Sequence, residues 1–84
     1  MKKQDWLVYI LQCSNGAFYA GITNDLIKRL LLHNSGKGAR YTRSFRPVEL
    51  VWSEKAVSRS AALKREAEIR KLSRAGKEKL ILSQ

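Results

Sequence analysis

Residues 6–22 read WLVYILQCSNGAFYAGI, two apolar runs on either side of a short polar group. Both runs are rich in β-branched and aromatic residues, which favour strands. The intervening Ser14, Asn15 and Gly16 are typical turn residues. The pattern predicts a β-hairpin.

The register of this hairpin depends on the length of its loop. A three-residue loop with Gly16 in the left-handed conformation pairs Leu11 with Tyr19 and Tyr9 with Gly21, so both tyrosines share one face. A two-residue Asn-Gly turn would place the tyrosines on opposite faces. We favour the longer loop because the other face then becomes uniformly apolar. That face would consist of Val8, Ile10, Phe18, Ala20 and Ile22.

Residues after the hairpin predict one further strand and three helices. Asn24 is a suitable N-cap for a helix over 25–33 that ends at Ser35-Gly36, and its apolar positions predict a buried stripe of Leu26, Ile27, Leu30 and Leu31. A strand is expected from Pro47 to Glu54. A helix is expected from about Ala61 to Leu72, with Ser58 or Ser60 as its N-cap. A last helix would begin at Ser73 and end near Leu82. The predicted fold is α+β, a small three-stranded antiparallel sheet flanked by helices in the order ββαβαα, in one domain over residues 1–84.

Composition narrows the classes of function. The chain has 84 residues, 17 Lys plus Arg against 7 Asp plus Glu, and a formal charge of +10. Its single Cys and single His exclude an internal disulfide, a cysteine zinc cage and a multi-histidine metal site. No apolar run approaches the roughly 18 residues of a membrane span, so we expect a cytoplasmic protein with no membrane or disulfide-linked partner.

Positive charge is concentrated between Leu26 and Val48, where six basic residues occur without one acid. Aromatic residues are interspersed with these cations. A block of positive charge with aromatic residues is typical of a surface that binds nucleic acid, because the cations contact phosphates and the rings stack on bases. Lysines that serve only solubility would be scattered along the chain. A solvated cationic loop is the alternative interpretation. The candidate nucleic-acid contacts are Lys37, Arg40, Tyr41, Arg43 and Arg46.

Glu66 is the most informative acidic residue. At 100° per residue it falls between Ala62, Leu63 and Ile69 on the apolar face of its helix, whereas Glu68 faces water. Burying an ionised carboxylate costs several kcal/mol unless a cation, hydrogen-bond donors or a metal ion meet it. Glu66 is therefore either a functional carboxylate in a cleft or one half of a structural ion pair with an arginine.

Arg29 and His33 lie one helical turn apart, on a face shared with Asp25. They offer a guanidinium that stays charged and an imidazole that titrates near neutral pH. The alternative is an ordinary exposed helix face.

Together these residues resemble the GIY-YIG nuclease superfamily. The resemblance rests on Val8-Tyr9-Ile10, on Tyr19-Ala20-Gly21 ten residues later, and on Arg29, His33 and Glu66 in that order. Residues 33–42, HNSGKGARYT, are similar to the small stand-alone bacterial branch of the superfamily. The combination is far more specific than either tripeptide alone.

The resemblance implies a metal-dependent endonuclease that hydrolyses phosphodiester bonds in nucleic acid with low sequence specificity, in a setting such as DNA repair. DNA is the favoured substrate, and RNA remains the alternative. Glu66 would be the sole protein ligand of one Mg²⁺ or Mn²⁺ ion, and Arg29 would stabilise the charge on phosphorus. Tyr9 or Tyr19 would orient or deprotonate the attacking water, and His33 would accept or relay the proton or bind the phosphate. A tyrosine acting as base needs a lowered pKa, which Arg29, the metal and the basic loop would favour.

Two other classes of function remain open. A nucleic-acid-binding module could keep the fold without useful turnover, and a protein-interaction domain could use its charge for solubility alone. We expect a monomer or a weak dimer in each case.

Overall fold

A computed structural model describes residues 5–37 and 44–84 of the chain. Within these residues three antiparallel strands form one open sheet and three helices pack on it, in the predicted order ββαβαα. The α+β prediction is confirmed. The elements are β1 (Trp6–Gln12), β2 (Phe18–Thr23), α1 (Leu26–Asn34), β3 (Glu49–Ala56), α2 (Arg59–Arg70) and α3 (Arg74–Leu82).

The hairpin has the predicted three-residue loop. The Cys13 amide donates to the carbonyl of Ala17 at 2.8 Å, and Gly16 has a φ of +87°, which favours glycine. Tyr9 consequently pairs with Gly21, and both tyrosines lie on one face of the sheet.

β1 is the central strand, so its alternating side chains enter two separate cores. On one face Val8 and Ile10 pack with Trp52 of β3 and with Ala62 and Ile69 of α2. On the other face β1 and β2 pack against α1 in a second cluster that contains Tyr9, Leu11, Cys13, Val48, Tyr19, Leu26 and Leu30. Each fully buried aliphatic side chain contributes about 1.5–3 kcal/mol. The two cores hold α1 and α2 on opposite faces of the strands.

The predicted start and orientation of α1 were wrong. Asp25, not Asn24, is the N-cap, and its carboxylate accepts from the Lys28 amide at 3.1 Å. The Thr23 hydroxyl accepts from the Asp25 amide at 3.0 Å and shifts the cap by one residue. Ile27 and Leu31, predicted to be buried, are 76% and 66% exposed.

The stripe of α1 that meets the sheet contains His33. Leu26, Leu30 and His33 follow the i, i+4, i+7 spacing of one helix face, and His33 is only 2% exposed. His33 lies one turn from Arg29 as predicted, but its burial with the leucine stripe was not predicted. Leucine and isoleucine occupy two overlapping stripes in this helix, and helical periodicity alone cannot choose between them.

The remaining elements differ from their predicted bounds by about two residues. β3 begins at Glu49 rather than Pro47 and continues to Ala56. α2 begins two residues early because Ser58, rather than Ser60, caps it by accepting from the Ala61 amide at 3.1 Å. Ser73 caps α3 as predicted. No helix in the described part of the chain is both long and apolar enough to cross a membrane.

Candidate active site

Two tyrosines and a histidine meet between the sheet and α1. The Tyr9 hydroxyl and Nε2 of His33 share a hydrogen bond of 3.2 Å in a buried position. The His33 ring also packs edge-on against both tyrosines, with centroids 6.2 Å from Tyr9 and 5.4 Å from Tyr19. The predicted grouping of these three residues is thus present, and His33 joins it through the buried stripe of α1.

Gly21 makes room for the Tyr9 ring. A Cβ at Gly21 would lie 2.5 Å from the Tyr9 hydroxyl oxygen and 2.6 Å from Cζ, closer than such contacts occur. The Tyr9 ring therefore crosses directly over its cross-strand partner. The sequence predicted the Tyr9–Gly21 pair but not this close approach of the Tyr9 ring.

Arg29 and Glu66 lie near enough to Tyr9 to affect its pKa, in opposite directions. Burial, the neighbouring Tyr19 and Glu66 raise the pKa of Tyr9 and Arg29 lowers it, with a net pKa of about 12. The structure therefore brings Tyr9, Tyr19 and His33 into contact, whereas Arg29 and Glu66 act on Tyr9 through their charge.

The expected lowering of a tyrosine pKa does not occur at Tyr9 in this structure. Burial of the phenolate outweighs the opposing effect of Arg29. Burial and Arg29 both lower the pKa of His33. Tyr9 is therefore protonated and His33 neutral at pH 7, which leaves the imidazole as the better proton acceptor of the bonded pair.

Glu66 points inward without being fully enclosed. Its side chain is 15% exposed, compared with 67% for Glu68, which faces water as predicted. Glu66 forms an ion pair of 3.2 Å with Arg70, whose side chain is 59% exposed. The partner is thus an arginine of the same helix at the surface, not an arginine enclosed in the core.

Glu66 fits a cation that keeps most of its water. Among residues 5–37 and 44–84 no three His, Cys, Asp or Glu side chains cluster as a metal cage would require. Mg²⁺ often binds through one or two carboxylates and retains several waters. Glu66 offers one partly exposed carboxylate, so the residues fit such an ion with Glu66 as the protein ligand.

A polar cleft gives access to Arg29. It has a volume of about 460 Å³ and lies along the start of α1, lined by Thr23, Asn24, Asp25, Lys28, Arg29 and Leu32. Arg29 itself is exposed. A phosphate of an extended ligand could therefore reach the guanidinium from solvent.

The predicted nucleic-acid contacts are only partly visible. Lys37 and Arg46 are exposed beyond the end of α1, and Nη1 of Arg46 donates to the Asn34 carbonyl at 3.4 Å. Arg40, Tyr41 and Arg43 lie outside the described residues.

Sequence reasoning missed Arg70 as part of the site. The pair could have been predicted from the sequence, because opposite charges four residues apart on one helix lie close together, as Glu66 and Arg70 do.

Burial of His33 predicts that the chain becomes less stable in mild acid. The pKa of His33 is lower in the folded chain than its ordinary value of 6.5 in the unfolded chain. At a pH between these two pKa values, the folded chain therefore binds fewer protons than the unfolded chain. The His33 contribution is complete above pH 6.5, and the free energy of unfolding falls as the pH drops from 6.5 through the lowered pKa. Thermal unfolding measured across this range should show the decline in the wild type and a flatter profile in His33→Gln. An equal slope in the variant would assign the acid sensitivity to other groups.

Comparison with known proteins gives the family. Residues 5–79 match the model of the GIY-YIG catalytic domain. A UPF0213 protein of Syntrophus aciditrophicus is 57% identical over 75 residues, covering 88% of this chain and 86% of that protein. A UPF0213 protein of the archaeon Natronomonas pharaonis is 48% identical over 77 residues, covering 92% and 91%.

A solved structure agrees with the fold. The solution structure of a UPF0213 protein from Bacillus halodurans is 41% identical, with a TM-score of 0.62 over 96% of this chain and 86% of that one. The family match spans β1 to α3 and includes all five candidate catalytic residues. This chain therefore belongs to the GIY-YIG family, in its branch of small UPF0213 proteins from bacteria and archaea.

Proposed function

We propose that the chain is a metal-dependent endonuclease that hydrolyses phosphodiester bonds in DNA with low sequence specificity. Membership of the family implies nuclease-like chemistry on nucleic acid and, in general, use of a divalent metal ion. The observation that carries the proposal is the buried contact of Tyr9 and Tyr19 with His33 in a chain of this family. A net charge of +10 supports a polyanionic substrate.

In this proposal the proton of the attacking water leaves through Tyr9 and His33. As the water oxygen attacks phosphorus, its proton passes to the Tyr9 oxygen while the Tyr9 proton passes to Nε2 of His33. Neutral His33 and protonated Tyr9 are the starting states that this transfer needs. Tyr19, half-buried beside them, would help to orient the water.

Arg29 would stabilise the negative charge that develops on the phosphate oxygens. Its planar guanidinium can donate two parallel hydrogen bonds and stays charged at any working pH, which lysine reproduces poorly. Glu66 would hold one Mg²⁺ or Mn²⁺, which supplies positive charge at the phosphate and leaving oxygen. Cleavage of the phosphorus–oxygen bond then releases the leaving group, which takes up a proton.

The basic segment would hold the rest of the strand. Lys37, Arg40, Arg43 and Arg46 provide cations for backbone phosphates, and Tyr41 a surface on which a base can stack. These contacts do not read base edges, which suits low sequence specificity. We further propose that the chain acts in the cytoplasm as a monomer or weak dimer.

Removal of the metal ion should separate cleavage from binding. We expect purified protein to nick supercoiled DNA with Mn²⁺ at low salt, and we expect excess chelator to abolish nicking while gel-shift binding persists. Nicking that is unchanged by the chelator would contradict the metal-dependent mechanism.

One observation favours a second candidate, a nucleic-acid-binding module without useful turnover. The ion pair between Glu66 and Arg70 occupies the carboxylate that the metal ion would need. Salt-sensitive DNA binding with no nicking in Mg²⁺ or Mn²⁺ would establish this candidate instead of the endonuclease.

A further inference from the structure

Arg70 forms an ion pair with Glu66, and the two side chains differ in how far they are buried and can reorient. Glu66 is one turn from Ala62 and from Ile69, both fully buried, and only 15% of its side chain is exposed. The Arg70 side chain is 59% exposed. The carboxylate is therefore held in place by the packing of α2, whereas the guanidinium can turn into solvent.

Other arginines of the same surface are held more firmly. Arg65 lies between Glu54 and Glu68, at 3.0 and 3.1 Å, and stacks on Trp52. Arg74 donates to the Gly16 carbonyl at 2.9 Å, stacks on Phe18 and pairs with Glu78. Arg70, in contrast, has Glu66 as its one ion-pair partner among residues 5–37 and 44–84.

A cation at Glu66 must compete with Arg70. The guanidinium contacts Oε2 of Glu66, an atom that a divalent ion would also use. Because water reaches the 59% exposed Arg70 side chain, we expect the pair to change an equilibrium constant by no more than about fivefold. Arg70 can therefore be displaced, but its displacement reduces the affinity for the ion.

A nucleic-acid phosphate would compete with Glu66 for Arg70, and this competition would favour metal binding. Arginine binds phosphate and carboxylate through the same paired donors, so a phosphate close to Glu66 is an alternative partner for Arg70. When Arg70 turns to the phosphate, the carboxylate becomes free for the ion. By reciprocity, the ion must then also strengthen nucleic-acid binding.

We infer that Arg70 is a displaceable counter-ion of Glu66 that weakens binding of the divalent ion to the free chain and transfers to a substrate phosphate when nucleic acid binds. This role rests on the proposed function, because it requires Glu66 to be the metal ligand. It makes metal loading dependent on substrate, and it assigns Arg70 to substrate binding.

Binding of Mn²⁺ to the whole chain, followed by paramagnetic broadening of the amide signals around Glu66, tests this inference without any cleavage. Arg70→Gln should bind Mn²⁺ two- to fivefold more tightly than the wild type. Arg59→Gln is the matched control, because it removes an equal charge from an exposed position of α2 that does not contact Glu66. Its affinity should change by less than about 1.5-fold, as expected for a screened charge. The same spectra show whether each variant is folded.

A short oligothymidine adds the second half of the test. It should tighten Mn²⁺ binding in the wild type and in Arg59→Gln, and tighten it less in Arg70→Gln. Equal Mn²⁺ affinities for Arg70→Gln and Arg59→Gln, or equal gains from the oligonucleotide, would overturn the inference while leaving the proposed function intact. Broadening around residue 66 that persists in Glu66→Gln would instead overturn the metal site of the proposed function.

Discussion

Glu66→Gln should abolish metal-dependent nicking, with a loss of at least about a hundredfold in rate. Glutamine keeps the size of the side chain but removes the charge that would hold the ion. DNA binding should persist, because the cations of the basic segment are unchanged. Nicking of supercoiled DNA in Mn²⁺ and gel-shift binding, measured on the same preparation, separate the two properties.

Glu68→Gln is the matched control. The same substitution two residues later removes an equal charge from a carboxylate that is 67% exposed and pairs with Arg65 at the surface. It should nick DNA at the wild-type rate. Full nicking by Glu66→Gln would contradict the assignment of Glu66 as metal ligand, and loss of its folded thermal transition would show that Glu66 is a structural ion-pair partner instead.

Gly21→Ala should both destabilise the chain and impair nicking. The added Cβ would lie 2.5 Å from the Tyr9 hydroxyl oxygen, so the phenol must move away from His33. Overpacking of this kind costs about 1–3 kcal/mol. For a domain of this size, that corresponds to a fall in melting temperature of roughly 5–20 °C. Circular dichroism melting and the nicking assay measure the two effects.

Gly76→Ala serves as the comparison for Gly21→Ala. Gly76 lies within α3, where alanine is favoured over glycine by about 1 kcal/mol, and the nearest atom to its new Cβ would be Cβ of Leu72 at 3.3 Å. The gain and the close contact oppose each other, so little change in melting temperature is expected. If Gly21→Ala melts at the wild-type temperature and nicks DNA at the wild-type rate, Tyr9 does not need its observed position.

The hairpin could be predicted from sequence because two independent constraints agree. A left-handed Gly16 fixes the loop length, and the two-residue period of strands then determines which side chains accompany Tyr9. Glu66 could be placed toward the core for a similar reason, since Ala62 and Ile69 define one side of its helix.

The orientation of α1 could not be predicted in the same way. Its sequence offers two apolar stripes, and the sheet selects Leu26 and Leu30 because His33 then completes the contact with the tyrosines. Ile27 and Leu31 are left in solvent as a result. The raised pKa of Tyr9 could not be predicted for the same reason, because it results from burial of the phenol in this tertiary contact.

In the proposed mechanism Arg29 of α1 and Glu66 of α2 act on one phosphate beside Tyr9 and His33. The decisive measurement is a crystal structure of the chain with Mn²⁺ and a short DNA oligonucleotide. We predict one phosphate that receives the Arg29 guanidinium and shares the ion with Glu66, with Tyr9 directed at the water opposite the leaving oxygen. DNA bound only along Lys37 and Arg46, with its phosphates away from both Arg29 and Glu66, would contradict this mechanism.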